Sequence, residues 1–351
     1  MSEAAPPLKA FGAADGDVKL LEGRAVAFIG YGNQGRAQAL NLRETLQAES
    51  ISCDIFVGTE RNETWRQAES DGFEPQAVGE AADAADILFL LVPDEVLPEV
   101  FREQIQPHLQ QHDTLVLASG YNITYEAINL PPDVDVVLLA PRMIGRQLRQ
   151  LYEQGKGFYS YISVEQDASG NAWQTLLALA SGIGTLASPG AAFELSARDE
   201  TILDLYHEQG YGSLLGMTFY TMLEVGIEAG IPAEALALDL YLSGEAAETL
   251  QAMADVGFYE QAKLHSRTSQ YGGMMRSLSL DREPLRKHLQ MVIREVKDGT
   301  FAKRWAEEQA SGSENFEKLR DLAGKMNPFT PIEERIKKSI REAQSRGKPK
   351  P

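Results

Sequence analysis

The chain has 351 residues, and 33 Lys and Arg against 51 Asp and Glu give it a formal net charge of −18. Domains commonly hold about 100–200 residues, so this length predicts two domains or three, with enough chain to bury a sizeable core. The acidic balance argues against nucleic acid and anionic membranes as partners, because both attract basic surfaces. A single cysteine, Cys53, excludes an internal disulfide framework and any multi-cysteine zinc or iron–sulfur site.

The two ends of the chain differ from the rest in composition. Residues 1–17 are small, polar and acidic and lack the apolar centre of a signal peptide, so we expect a flexible tail and a cytoplasmic protein. Residues 342–351 end in SRGKPKP and predict a second flexible tail. The longest uncharged stretch, residues 171–193, is broken by Gly, Ser and Pro and does not predict a membrane span.

The first half of the chain alternates short aliphatic runs with helical stretches. The runs lie at residues 25–29, 53–57, 87–92, 115–118 and 134–140, and helical periodicity first occurs at residues 36–46. Continuous apolar runs indicate strands buried on both faces, as in a parallel sheet flanked by helices. From about residue 196 the spacing of Leu, Met and Ala is helical. We therefore predict a flexible tail over residues 1–17, a doubly wound α/β domain over residues 18–195 and an all-α domain over residues 196–341.

A glycine-rich turn directly follows the first strand and opens the first helix. Glycines there permit a tight turn and let the backbone approach a pyrophosphate at the helix N-terminus. A glycine turn without a ligand is the alternative, but the strand before it, the helix after it and the second strand beyond favour dinucleotide binding. The residues predicted to bind this cofactor are Gly30, Tyr31, Gly32, Asn33, Gln34 and Gly35.

Several segments resemble the ketol-acid reductoisomerase family. The opening GYGNQGRAQALNLRE is similar to the family pattern GYGSQGHAHALNLRD, and LVPDEVLPEVF, SGYNITY, PPDVDVVLLAP, LDLYHEQ and KDGTFAKRW follow in family order, from about residue 24 to 306. The chain is identified as a member of this family, and its length resembles the short class. The resemblance implies a Rossmann domain followed by one knotted all-α domain. It also places Pro93, Asp94 and Gly120 among the cofactor-binding residues.

The resemblance implies a reaction in two steps. In the family, Mg²⁺ drives an alkyl migration in a 2-hydroxy-2-alkyl-3-oxo acid, and NADPH reduces the resulting 2-oxo acid. The conversion of 2-acetolactate to 2,3-dihydroxyisovalerate in branched-chain amino-acid synthesis is the corresponding function. Two close divalent cations need several converging carboxylates. The family's first carboxylate pair corresponds to Asp204 and Glu208, four residues apart on one predicted helix face, and its second to Asp239 and Ser243. A serine hydroxyl replaces a carboxylate poorly, which weakens the case for a second Mg²⁺.

Two further positions in the implied active site differ in chemistry from the family pattern. Ser119 stands where the family has a histidine, and Arg142 where it has a lysine. A histidine transfers protons near neutral pH, and a lone serine does not. An arginine holds a carboxylate but does not readily donate a proton. By the resemblance we expect catalytic roles for Asp204, Glu208, Arg142 and Ser119, substrate binding by Ser266 and Asp239, and Mg²⁺ at Asp204, Glu208 and Asp239.

These substitutions leave three interpretations open. The chain is a compensated family enzyme, a reductase of a small oxo acid with an altered substrate or reaction, or a dinucleotide-binding protein without turnover. The complete glycine turn and the retained pair Asp204 and Glu208 favour an enzyme over the third.

The loop after the second strand bears on the choice of cofactor. Relatives place Arg and Ser there to hold the 2′-phosphate of NADPH, and this chain has Glu60, Arg61 and Thr64. A carboxylate at this place binds the free ribose hydroxyls of NADH and repels a phosphate. The loop therefore favours NADH, while Arg61 keeps NADPH open. A solvated turn, with the cofactor chosen elsewhere, is the alternative.

Two segments of the helical half are apolar or small on more than one helix face, at residues 212–217 and 236–242. A helix that is apolar on several faces must be covered on all of them. Together with the short-class resemblance, this predicts an intertwined homodimer, with larger assemblies of dimers left open.

Overall fold

The computed structural model describes residues 7–346. The chain divides between Asp204 and Leu205 into two compact units.

The first unit is built around a sheet that has nine strands in the described part of the chain. In chain order these are β1 (Ala10–Phe11), β2 (Ala25–Ile29), β3 (Asp54–Gly58), β4 (Pro75–Gln76), β5 (Ile87–Leu90), β6 (Thr114–Leu117), β7 (Asp135–Pro141), β8 (Tyr159–Gln166) and β9 (Ala191–Glu194). Their order across the sheet is β1-β9-β8-β7-β6-β5-β2-β3-β4. Neighbours from β4 to β7 run parallel, whereas β8 is antiparallel to β7 and β1 to β9. Strands β3 and β4 are added on one side of β2, and β5 and the strands after it are added on the other side. The winding direction therefore reverses between β2 and β5.

Helices connect these strands and make up the rest of the chain. Those between the strands and after the last one are α1 (Asn33–Glu49), α2 (Glu63–Ser70), α3 (Val78–Asp83), α4 (Leu97–Val100), α5 (Tyr121–Thr124), α6 (Gly145–Glu153), α7 (Ala172–Gly182) and α8 (Ala197–Tyr206). The later helices are α9 (Ser213–Glu228), α10 (Ala233–Ala237), α11 (Glu245–Val256), α12 (Arg267–Ser279), α13 (Glu283–Lys297), α14 (Thr300–Ala310), α15 (Glu314–Met326) and α16 (Phe329–Ser345). Two π-helical turns interrupt the second series, at His207–Gly212 and Leu238–Leu242.

The sheet is buried on both faces. Along β2, Val26 and Phe28 belong to one apolar cluster and Ala27 and Ile29 to another, and all four side chains are fully buried. Alternate residues of a strand point to opposite faces, so each face carries its own core. The predicted parallel sheet between helices is confirmed, and so is the all-helical character of the described residues after Asp204.

Several sequence-based boundaries were wrong. Residues 1–17 are not all a tail, because Ala10 and Phe11 pair with β9; residues 1–6 lie outside the described ones. The predicted tail at 342–351 begins too early, since α16 continues to Ser345, and residues 347–351 lie outside the description. The first helix begins at Asn33 rather than at residue 36, because the glycine turn itself starts it. Strands β8 and β9 were not predicted, since β8 is rich in Ser, Tyr, Glu and Gln and β9 has four residues.

The second unit has a small core in its described residues. One apolar cluster joins Leu223, Ala237, Phe329, Ile332 and Ile336. Many other large apolar side chains are solvent-exposed, with Phe258 82% and Leu278 87% exposed. No helix of the described chain is long and apolar enough to cross a membrane.

Candidate active site

The glycine turn closes tightly at the carboxyl end of β2, beside the end of β5. Gly30 has a φ of +96°, and a Cβ on it would lie 2.7 Å from the carbonyl oxygen of Leu91. A Cβ on Gly35 would lie 2.0 Å from the carbonyl oxygen of Gly30. Both positions therefore require glycine. Ligands of such sheets bind where the winding direction reverses, which is where this turn lies.

Gly32 has a different reason to be glycine. Its φ is −79°, which any residue adopts, and a Cβ built on it meets nothing within 4 Å. Gly32 is also the N-cap of α1, and it makes no side-chain hydrogen bond to the first N–H groups of that helix. Open space in front of an uncapped helix N-terminus is what a pyrophosphate needs. The residues present therefore fit a dinucleotide.

The side chains between the glycines hold the turn in place. The Tyr31 hydroxyl donates to Asp71 over 3.0 Å, and Gln34 Nε2 donates to the Met143 carbonyl over 2.8 Å. Asn33 Oδ1 accepts from the Arg146 backbone N–H at 3.1 Å. All three were predicted to bind the cofactor. In this structure their side chains bond other parts of the protein, and the open helix N-terminus is the feature suited to a ligand.

The loop after β3 is exposed and carries its charges in solvent. Glu60 and Arg61 are both exposed, and the Arg61 guanidinium lies 5.1 Å from the centre of the Trp65 ring. The Thr64 hydroxyl shares hydrogen bonds with Thr59 and Asn62 at 2.7 Å each, at the start of α2. The two charged side chains are therefore available at the end of the second parallel strand, as the sequence predicts.

Asp94 lies four residues beyond the end of β5, in the loop that also contains the exposed Pro93. Its carboxylate accepts hydrogen bonds from the Ser119 hydroxyl and from Asn122 Nδ2, both at 3.1 Å. Burial raises the pKa of Asp94 to about 6. Two residues predicted for different roles, Asp94 for the cofactor and Ser119 for catalysis, are thus bonded to each other.

Gly120 joins the loop after β6 to α8. A Cβ on Gly120 would lie 2.1 Å from the Ala197 carbonyl oxygen, so only glycine allows this approach. Its N–H donates to Glu200 Oε2 over 2.9 Å. The predicted contact of Gly120 with the cofactor stays a prediction, and in this structure its N–H holds Glu200.

Arg142, just beyond β7, lies between two carboxylates of α8. Its Nη1 bonds Glu200 Oε1 at 2.9 Å and its Nη2 bonds Asp204 Oδ1 at 2.6 Å. The Glu200 side chain is 3% exposed and Asp204 is 38% exposed. Burial raises the pKa of Glu200 to about 7, and the bonds to Asp204 and Glu200 raise that of Arg142 although burial opposes this. We call Arg142, Glu200 and Asp204 the arginine cluster.

Glu200 was missed in the sequence. The available signal was its position four residues before Asp204, which puts both carboxylates on one face of α8. That spacing is common on solvated helices and by itself indicates no function.

The remaining predicted residues lie in the second unit. Glu208 is exposed in the π-helical turn that follows α8, so the single α-helix assumed for Asp204 and Glu208 ends at Tyr206. Asp239 is exposed in the other π-helical turn, and Ser243 ends that turn. Ser266 caps α12, its hydroxyl oxygen accepting from the Ser269 N–H at 3.2 Å.

Two of these positions do not offer the free carboxylates that a centre of two magnesium ions needs. Asp204 carries a guanidinium on its carboxylate, and Ser243 offers a hydroxyl where the family pattern has a carboxylate.

Comparisons with known proteins agree with these features. The chain matches the family model "Acetohydroxy acid isomeroreductase, NADPH-binding domain" over residues 20–188 and "Ketol-acid reductoisomerase, C-terminal domain" over residues 198–342. It is 37% identical over 88% of its length to "Putative ketol-acid reductoisomerase 3" of Saccharolobus solfataricus, covering 92% of that protein. It is 34% identical over 85% of its length to "Ketol-acid reductoisomerase (NADP(+))" of Methanocaldococcus jannaschii, covering 88% of it. A solved NADH-preferring ketol-acid reductoisomerase from an uncultured archaeon matches with a TM-score of 0.86 and 28% identity, over 94% of this chain and 98% of that one. The chain belongs to the ketol-acid reductoisomerase family.

Proposed function

We propose that this family member is an NAD(P)H-dependent oxidoreductase that reduces a small 2-oxo acid. The observation that carries the proposal is the open space at Gly32, the N-cap of α1, which makes no side-chain hydrogen bond to that helix. The arginine cluster supports it, because the Arg142 guanidinium has N–H groups beyond those bonded to Glu200 and Asp204. The relatives' names support a nicotinamide dinucleotide as cofactor, because one of them includes NADP(+) and another is described as NADH-preferring.

The choice between the two nicotinamide cofactors belongs to the same proposal. We propose NADH as the preferred one, because Glu60 is exposed at the end of β3, where a carboxylate binds ribose hydroxyls and repels a 2′-phosphate. Arg61 is exposed beside it and can hold that phosphate, so NADPH is the alternative.

Conversion of 2-acetolactate to 2,3-dihydroxyisovalerate is the reaction that the relatives' names suggest. A reductase that acts only on a ready-made 2-oxo acid is the second candidate, and the guanidinium on Asp204 favours it, since the alkyl migration calls for divalent cations near that carboxylate. Mg²⁺ at Asp204, Glu208 and Asp239 stays a prediction. A dinucleotide-binding protein without turnover is the remaining alternative.

The exposed apolar side chains of the second unit support a homodimer. Phe258, Leu264 and Leu278 are each more than 70% exposed, and surfaces of this kind are commonly covered by a partner. We propose a second copy of this chain as that partner, and a cytoplasmic location for the protein.

Oxidation of NADH or NADPH, followed at the absorbance of the reduced nicotinamide, tests the proposed function. The full-length protein is mixed with 2-acetolactate or with pyruvate, 2-oxobutyrate and 2-oxoisovalerate, each with and without MgCl₂. Turnover of a 2-oxo acid supports the proposal, and turnover of 2-acetolactate alone would favour the compensated family enzyme. Tight dinucleotide binding without turnover of any of these acids would leave the non-catalytic alternative.

A further inference from the structure

The arginine cluster fixes one guanidinium rigidly. Glu200 holds Arg142 through one carboxylate oxygen and the Gly120 N–H through the other, and its side chain is 3% exposed. Asp204 holds the second terminal nitrogen of Arg142, and the ring of Tyr161 lies 5.2 Å below the guanidinium carbon. Two bonds from α8 and one ring contact from β8 therefore set the position of this cation.

The same arrangement competes with a divalent cation at Asp204. A metal ion would have to displace a guanidinium that is bonded at 2.6 Å and is permanently charged. The neighbouring carboxylate on the same face of α8 is Glu200, and the same guanidinium already binds it. A magnesium ion at Asp204 therefore finds no free carboxylate on this face of α8.

Arg142 keeps capacity for a ligand of its own. A guanidinium has five N–H groups in a planar fork, and the two bonds to Glu200 and Asp204 use only part of them. The side chain is 26% exposed, so a small solute can reach it. Planar groups with two adjacent oxygens, such as the carboxylate and carbonyl of a 2-oxo acid, match this fork.

We infer that Arg142, fixed by Glu200 and Asp204, takes the place of the divalent cation in substrate binding, so that reduction of the 2-oxo acid does not depend on metal. This inference rests on the proposed function. The dinucleotide, when bound, supplies a hydride. The carbonyl carbon accepts it, the electron pair of the C=O bond moves to the oxygen beside Arg142, a solvent proton completes the 2-hydroxy acid, and the nicotinamide is oxidised.

Activity with and without metal is the first measurement. Assays use the full-length protein with pyruvate, 2-oxobutyrate or 2-oxoisovalerate. The pH is kept above the Glu200 pKa of about 7, so that this carboxylate is ionised. We expect rates in excess EDTA and in millimolar MgCl₂ to agree within about twofold, and Arg142→Met to lower kcat/KM by about 100-fold in both. Arg198→Met is the matched control. Arg198 is an exposed arginine on α8, the helix that carries Glu200 and Asp204, and its loss should leave kcat/KM unchanged. Loss of reduction in EDTA that MgCl₂ restores would overturn the inference.

Binding of Mn²⁺, followed by electron paramagnetic resonance, tests the inference without turnover. Wild type and Asp204→Asn should bind Mn²⁺ equally weakly, because the guanidinium already occupies Asp204. Arg142→Lys cannot bridge two carboxylates, and it should gain Mn²⁺ binding that the added change Asp204→Asn removes. If no acid is reduced but Mn²⁺ binding follows these expectations, the proposed function fails, and the inference that Arg142 keeps a divalent cation away from Asp204 stands. Mn²⁺ binding by wild type that depends on Asp204 would refute the inference whatever the substrate.

Discussion

The Ser119 hydroxyl donates a hydrogen bond to Asp94 over 3.1 Å, and this bond joins the loops that follow two neighbouring parallel strands, β5 and β6. The family pattern has a histidine at position 119. Here a small hydroxyl satisfies one oxygen of Asp94 while Asn122 satisfies the other. The pair therefore connects these two loops, and it leaves position 119 without a side chain that transfers protons near neutral pH.

Gly32→Val should separate cofactor binding from folding. The new side chain would fill the space in front of α1, so we expect NADH and NADPH affinity to fall at least about tenfold, or about 1.4 kcal/mol. The free energy of unfolding should stay within about 0.5 kcal/mol, because a Cβ there meets nothing within 4 Å. Fluorescence titration and urea unfolding measure the two effects.

Gly35→Ala is the matched contrast to that change. Its Cβ would lie 2.0 Å from the Gly30 carbonyl oxygen, so we expect a loss of stability as well as of binding. Unchanged cofactor affinity in Gly32→Val would remove the assignment of this turn to the dinucleotide.

The buried carboxyl of Asp94 should make stability depend on pH. Its pKa is about 6 in the folded protein against an ordinary 3.8, so between these values the folded state keeps a proton that the unfolded chain has lost. The resulting stabilisation is complete below about pH 4 and is lost as the pH rises through about 6, by at most about 3 kcal/mol. Asp94→Asn removes this contribution.

Urea unfolding of wild type and Asp94→Asn between pH 4 and 7 measures it. Burial also raises the pKa of Asp113 to about 6, but Asp113 contributes to both proteins and cancels in the difference. A difference between the two proteins that stays constant with pH would show that the Asp94 pKa is not raised by folding.

The isomerisation step should be weak in this protein. Ser243 supplies no carboxylate and Arg142 neutralises Asp204, so we expect Mg²⁺-dependent conversion of 2-acetolactate at least about 100-fold slower than reduction of the best 2-oxo acid. Chromatographic measurement of 2,3-dihydroxyisovalerate decides it. The double variant Arg142→Lys with Ser243→Glu should gain more of this activity than either single change. Conversion by wild type as fast as reduction would establish the compensated enzyme.

Cofactor preference should respond to Glu60 and Arg61 in opposite directions. Glu60→Gln removes a repulsion and should shift the ratio of NADPH to NADH affinity upward by about tenfold, and Arg61→Gln should shift it downward by a similar factor. Glu63→Gln is the control, because it removes the same charge from an exposed carboxylate nearby, in the first turn of α2. If all three variants leave the ratio unchanged, the choice of cofactor is made outside this loop.

The homodimer predicts a solution mass twice that of one chain. Light scattering at micromolar concentration measures it directly, and the unfolding midpoint should rise with protein concentration because folding and association are coupled. A monomeric mass together with intact cofactor binding would contradict the dimer.

The sequence predicted β2, β3, β5, β6 and β7 because each carries an aliphatic run, as Val26 to Ile29 do in the buried β2. It did not predict β4, which has two residues and no aliphatic side chain other than a proline. It did not predict β8, where polar residues outnumber aliphatic ones and pairing with neighbours on both sides holds the strand. It also missed the π-helical turns at Glu208 and Asp239, since an extra residue in a helical turn leaves no distinct sequence pattern. The bonds of Arg142 to α8 depend on contacts 58 and 62 residues apart, which no local pattern encodes.

Every member of the arginine cluster lies in the first unit, which ends at Asp204. The dinucleotide turn lies in the same unit. The hydrogen bonds described for the glycine turn and for the arginine cluster therefore all form within one unit. A substitution in the helices from α9 onwards removes none of them.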